Sequence, residues 1–130
     1  MSRLLVDTSA LSALFRGHPE AAGAARRADE LCVNPAVIAE ILAGALKTGG
    51  AHEKSLRDFL KSPRVRVVAI DEETARPYAV IFEALRKVGK PIPTNDIWIA
   101  ASAMQHGLTV LTADHHFGRV SQILVEMIRS

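Results

Sequence analysis

The chain has 130 residues, of which 48% are apolar and 23% charged, with a single cysteine. That length gives one domain, residues 1–130, able to bury a core without disulfides. The apolar fraction excludes a disordered chain, and the lone Cys32 excludes both an internal disulfide and a Cys-rich zinc module. Lys and Arg number 16 against 14 Asp and Glu, a net charge of +2, so any contact with nucleic acid must come from local clustering.

Near the N-terminus, Arg3 precedes a short apolar stretch, but Asp7 interrupts it and argues against a signal peptide. The longest apolar run, Ile97 to Ala101, falls far short of the roughly 18 residues a membrane helix needs. These features, with one unpaired cysteine, lead us to expect a cytoplasmic protein without a membrane segment.

Leu4-Leu5-Val6 reads as a buried strand ended by Asp7-Thr8-Ser9, three residues suited to capping a helix. A short helix follows from Ala10 to Phe15 and stops at Gly17, and a second runs from Pro19 to Arg27. Leu31-Cys32-Val33 is the next strand. Asn34-Pro35 then opens a helix from Ala36 to about Lys47, which ends near Gly49-Gly50. His52 to Lys61 reads as an amphipathic helix, Val65 to Ile70 as a β-branched strand, and Glu72 to Val88 as a helix. After the extended Lys90-Pro91-Ile92-Pro93, Thr94 is expected to cap a helix through His106 that Gly107 closes. Leu108 to Leu111 is the fourth strand and Asp114 to Val120 a short helix. The tail from Ile123 suits strand or helix.

Short apolar strands alternating with helices predict a parallel sheet covered on both faces, a doubly wound α/β/α sandwich. In such folds ligands bind beyond the carboxyl ends of the strands, where the winding reverses. Strand order 3-2-1-4 makes the first and fourth strands neighbours there, so Asp7 and Asp114 fall side by side. Asp96 lies in the first turn of the helix feeding the fourth strand. Each acid alone is adequately explained as a helix cap, and Asp71, beyond an edge strand, is read as only that.

Glu40 is more informative. Val37, Ile38, Ile41, Leu42, Ala45 and Leu46 form one apolar helix face, and Glu40 lies opposite among Ala36, Ala39, Ala43 and Gly44. Small neighbours leave room for a ligand beside this carboxylate. Four converging carboxylates with no Lys or Arg between them stay ionised together only around a cation. Oxygen donors without cysteine suit Mg²⁺ or Mn²⁺, and such sites perform phosphoryl chemistry.

Val6-Asp7-Thr8-Ser9, Glu40 in its Ala-rich helix, Thr94-Asn95-Asp96-Ile97-Trp98-Ile99-Ala100-Ala101 and Leu111-Thr112-Ala113-Asp114-His115-His116-Phe117 occur in an order that resembles the PIN-domain ribonucleases. More narrowly, the chain resembles the VapC-type toxins of bacterial and archaeal toxin–antitoxin pairs. The resemblance covers nearly the whole chain. It implies a PIN-like fold and a divalent-metal-dependent endoribonuclease that cuts single-stranded or looped RNA, often tRNA or rRNA. It assigns Asp7, Glu40, Asp96 and Asp114 to an acidic Mg²⁺ or Mn²⁺ site, with Asp7 and Asp96 the firmest ligands. It assigns Thr8, Asn95 and Thr112 to orienting those carboxylates. It further implies a homodimer and a cognate VapB-type antitoxin, through which alone the pair would touch DNA.

Arg86, Lys87 and Lys90 enter the connector to the Asp96 helix, and we expect them to contribute to an RNA-phosphate track. Aromatic residues are only 5%, too few for base-stacking platforms. His115 and His116 point in different directions and have no Cys or His partner at metal-ligand spacing. Neither is expected to ligate metal, although one is placed to meet RNA phosphate. Trp98 is read as core or dimer interface, and Cys32 as a buried strand residue. Leu11, Leu14 and Phe15 suit either the core or an antitoxin groove. A phosphoacceptor receiver is disfavoured because paired acids after the first strand and a suitably placed Lys are missing. A haloacid-dehalogenase-type phosphatase is disfavoured because Ser9 stands where it would need an Asp. The remaining rival is a non-catalytic interaction module whose acids are only caps.

Overall fold

The computed structural model describes residues 2–129. Strand β1 (Arg3–Val6) lies at the centre of a five-stranded parallel sheet with β2 (Glu30–Val33), β3 (Val65–Val67), β4 (Thr109–Thr112) and β5 (Val125–Met127), in the order β3-β2-β1-β4-β5. The expected order holds, and the tail supplies a fifth edge strand. Leu5 pairs with Cys32 on one side and Val110 on the other. All three are fully buried because the central strands are covered on both faces.

The helices are α1 (Thr8–Phe15), α2 (Pro19–Arg27), α3 (Pro35–Thr48), α4 (Glu53–Leu60), α5 (Glu72–Lys87) and α6 (Thr94–His106), followed by a 3₁₀ turn over His115–Arg119. Asp7 Oδ1 caps α1 by accepting from the Ala10 amide at 2.8 Å. Asn34 caps α3 through Val37 N at 3.1 Å. Asp71 closes a capping box with Thr74 on α5, as expected of a cap. Gly107 (φ +66°) ends α6 in the left-handed region and turns the chain into β4.

Three expectations need correction. The third strand stops at Val67 rather than Ile70: Val68 N makes the last bond, to Val33 O at 2.9 Å, and β2 then gives way to α3, leaving Ala69 and Ile70 without a ladder partner among the described residues. Its Val67 is 52% exposed, as the edge position dictates. Thr94 is the first helical residue, not the cap. Pro93 occupies the cap position and its carbonyl accepts from the Asp96 and Ile97 amides. Leu42 and Leu46, assigned to the apolar face of α3, are 38% and 88% exposed. The buried line is Val37, Ile41 and Ala45, a four-residue spacing along which α3 meets α1, α4 and α6, and the two leucines project beyond it.

Leu11 is wholly buried, and Leu14 and Phe15 pack against the same core, so all three serve the interior. Phe15 sits edge-on to Phe59 at 5.9 Å between ring centroids. Trp98 is half-buried against Tyr78 of α5, with ring centroids 4.1 Å apart. Cys32 is buried, and desolvation together with Glu30 pushes its thiol up to about 11, which leaves it unreactive. No described helix is long and apolar enough to cross a membrane.

Candidate active site

The winding reverses between β1 and β4, and both strands deliver a carboxylate at their ends. Asp7 follows β1 directly, its amide bonded to Leu111 O at 3.1 Å, and Asp114 follows β4 by two residues. Thr112 joins them: its hydroxyl donates to Asp7 Oδ2 at 2.6 Å and accepts from the Asp114 amide at 2.8 Å. Ser9 braces the same corner, donating to Asp7 Oδ1 at 2.8 Å and accepting from Ala113 N at 3.0 Å. One carboxylate therefore caps a helix and belongs to the cluster at once.

Burial drives the Asp7 carboxyl above its ordinary range. The bonds from Thr112, Ala10 and Ser9 oppose this, and repulsion from Asp114 adds to it. Asp96, in the first turn of α6 and 9% exposed, is pushed up to about 6. Desolvation is the main cause. A hydrogen bond from His116 works against it, while Asp114 and Glu40 repel the charge. Asp114 thus acts on both Asp7 and Asp96, and Glu40 acts on Asp96.

Glu40 reaches the cleft from α3, where Thr8 Oγ1 donates to its Oε1 at 2.7 Å. It lines a cavity of about 200 Å³ with Thr8, Ser12, Gly44, Thr48 and His52, while Ala39 and Ala43 face solvent. Asn34, buried at the start of the same helix, donates from Nδ2 to Ser102 Oγ at 2.9 Å and to the Trp98 carbonyl at 3.2 Å. That contact fixes α3 against α6, and with it Glu40 against Asp96.

Of the residues expected to orient carboxylates, the structure brings Thr8 and Thr112 to them. Asn95 is exposed, and among the described residues no hydrogen bond joins its side chain to an acid. Arg86 is exposed at the α5–α6 connector, bonded to Glu83 at 2.6 Å and 2.8 Å, and Lys87 and Lys90 are exposed nearby in sequence. The sequence reading assigns neither Ser9 nor His116 to the acidic cluster, having weighed metal ligation by His116 and set it aside. Ser9 could have been found from its place two residues after Asp7 in a first helical turn. His116 lies with Nδ1 3.2 Å from both Asp96 Oδ2 and Asp114 Oδ1. Its contact with Asp96 could not have been read from the sequence, because α6 and the 3₁₀ turn meet only in space.

Among the described residues, no Lys or Arg forms an ion pair with Asp7, Glu40, Asp96 or Asp114. Two buried carboxylates, Asp7 and Asp96, and two half-buried ones, Glu40 and Asp114, without such partners match the donor chemistry of a hard divalent cation.

The sequence matches the family described as PIN domain over residues 4–123. It is 30% identical over 95 residues to ribonuclease VapC4 of Mycobacterium tuberculosis, covering 72% of this chain and 73% of that protein. It is 31% identical over 122 residues to toxin FitB of Neisseria gonorrhoeae, covering 85% of this chain and 87% of that protein. The structure superposes on that of VapBC-1 from nontypeable Haemophilus influenzae with a TM-score of 0.80 and 26% identity, over 96% of this chain and 97% of that one.

Proposed function

Because this chain belongs to the PIN-domain family, and within it groups with the VapC ribonucleases, we propose that it is a divalent-metal-dependent endoribonuclease and the toxin of a toxin–antitoxin pair. The observation that carries the reading is the gathering of Asp7, Asp96, Asp114 and Glu40 about the β1–β4 switch point with, among the described residues, no Lys or Arg paired to any of them. Thr8 and Thr112 act as the groups that hold Glu40 and Asp7 in place.

Asp7, Asp96, Asp114 and Glu40 would hold Mg²⁺ or Mn²⁺, which in such a cluster supplies Lewis acidity that activates water and offsets charge on the scissile phosphate. The chain's own contribution is preorganisation. Thr112, Ser9 and the Ala10 amide fix Asp7 by four hydrogen bonds, so the carboxylate is already oriented before substrate arrives. Thr8 does the same for Glu40. The cleft repels RNA phosphate by itself. Arg86, Lys87 and Lys90 supply the attraction from outside it, with Asn95 exposed on the first turn of α6 to meet the substrate.

The relatives that carry this reading include proteins named as ribonucleases and a toxin, and the H. influenzae neighbour is a VapBC structure. By extension the chain acts with a VapB-type antitoxin, works as a homodimer, and reaches DNA only through that partner. The exposed Leu42 and Leu46 line a groove of about 400 Å³ with Gly49, Gly50 and Glu53.

The test is cleavage of a tRNA and rRNA panel by the purified protein with Mn²⁺, with Mg²⁺ and with EDTA, beside Asp96→Ala prepared identically. Cutting that needs metal and is lost in the variant supports the reading. Cutting retained by Asp96→Ala would refute it.

A further inference from the structure

Among the described residues, His116 is the side chain that brings a nitrogen donor to two of the clustered acids at once. Its Nδ1 lies 3.2 Å from Asp96 Oδ2 and 3.2 Å from Asp114 Oδ1. Ligand atoms of the three residues all fall within 4.8 Å of one another. Building on the proposed metal-dependent activity, we infer that His116 Nδ1 is a direct ligand of the divalent ion, giving a mixed oxygen–nitrogen set that selects Mn²⁺ over Mg²⁺.

The spacing is the first argument. Oxygen and nitrogen donors about 2.0–2.2 Å from a common ion, in adjacent positions of an octahedron, stand about 3 Å apart. That is the separation found between Nδ1 and each carboxylate oxygen. The imidazole is also held in place rather than trailing in solvent. The His116 amide donates to Asp114 Oδ1 at 2.9 Å, and the next residue, Phe117, is wholly buried and anchors the 3₁₀ turn. His115, one residue earlier, is exposed, so the pair diverges and only His116 faces the acids.

Selectivity follows from donor chemistry. Mg²⁺ keeps oxygen ligands and releases water reluctantly, so a nitrogen in the set brings it little. Imidazole binds first-row transition ions far better, and Mn²⁺ is the member of that series which also accepts carboxylates readily. The competing account is that His116 only donates a hydrogen bond to Asp96 and Asp114 and never touches the ion.

The experiment is Mn²⁺ binding to the full chain, read by EPR titration in competition with Mg²⁺ and by pulsed EPR for nitrogen coupling. His116→Asn retains an amide donor for the carboxylates but removes the imidazole nitrogen. We expect histidine nitrogen coupling on bound Mn²⁺ in the wild type. We also expect a fall of about tenfold or more in the Mn²⁺/Mg²⁺ affinity ratio in the variant, the usual scale for loss of a supporting group at a metal centre. Protein carrying ¹⁵N-labelled histidine gives the same answer from the coupling pattern without any substitution. Stoichiometric Mn²⁺ binding without nitrogen coupling, or an unchanged ratio in His116→Asn, would overturn the ligand assignment. The metal-site reading would survive if Asp96→Asn still abolished binding. Absence of stoichiometric binding by the wild type would overturn both.

Discussion

Replacing Asp96 by Asn should make the metal-free protein more stable and at the same time remove its response to metal. The Asp96 carboxyl is pushed from 3.8 to about 6, chiefly by burial and by Asp114 and Glu40. A group whose folded pKa is raised stabilises the fold fully below its unfolded value, and that stabilisation is lost as pH rises through the folded value. The window is therefore from below pH 4 to about pH 6. At about 1.4 kcal/mol per pKa unit the ionised carboxylate opposes folding by at most about 3 kcal/mol at pH 7. Its side chain retains 13% exposure on the open side of the cleft, and screening by water there reduces this to about 1–2 kcal/mol. Asn keeps the shape, has no charge to bury, and can still accept from His116.

Thermal unfolding in EDTA across pH 4–8 is the assay. Asp96→Asn should match the wild type near pH 4 and exceed it by about 4–8 °C at pH 7. With Mn²⁺ at 100 times its dissociation constant the wild type should gain about 2.7 kcal/mol and overtake the variant, which should not respond. A variant less stable than wild type at pH 7, or a difference that does not grow with pH, would refute the electrostatic argument.

Three further outcomes follow from the same geometry. Thr112→Val is nearly isosteric but strips the donor from Asp7 and the acceptor from the Asp114 amide. Urea denaturation should show a loss of about 1–3 kcal/mol, and kcat should fall while RNA affinity is held. Asn34→Ala removes the cap of α3 and both bonds to α6, so stability should drop by about 2–4 kcal/mol with a lower metal affinity by calorimetry; unchanged metal affinity would mean that α3 does not position Glu40. Changing Arg86, Lys87 and Lys90 together to Gln should raise KM and flatten the salt dependence of RNA binding by up to about 2 in log–log slope, since each single-strand phosphate contact carries about 0.7. Mn²⁺ binding should stay as it was, and an unaltered salt slope would remove these residues from the RNA track.

The sequence by itself determined the architecture. Leu4-Leu5-Val6, Leu31-Cys32-Val33 and the run ending at Leu111 are apolar on both faces, which only a covered parallel strand tolerates, and Asn34-Pro35, Asp71 and Gly107 mark helix ends by local backbone chemistry. These signals are local, so they survive without a fold. The candidate acids were legible for the same reason: each stands at the end of a strand or in the first turn of a helix, and Glu40 among small residues.

What the tertiary structure alone decided lies between elements. Whether Leu42 and Leu46 are buried depends on which line of α3 meets its neighbours, and a helical wheel does not contain where those neighbours stand. The third strand ended where β2 turned into α3, a limit set by its partner rather than by its own β-branched residues. Ser9 bridges to Ala113, Asn34 to Ser102, and His116 to Asp96 across chain separations that no spacing rule spans. The acids could be named from the sequence because a carboxylate at a strand end has local cause. Thr8 and Thr112 were named from the resemblance, but the parts of Ser9, Asn34 and His116 had to await the fold, because a hydrogen bond depends on the three-dimensional distance between its partners.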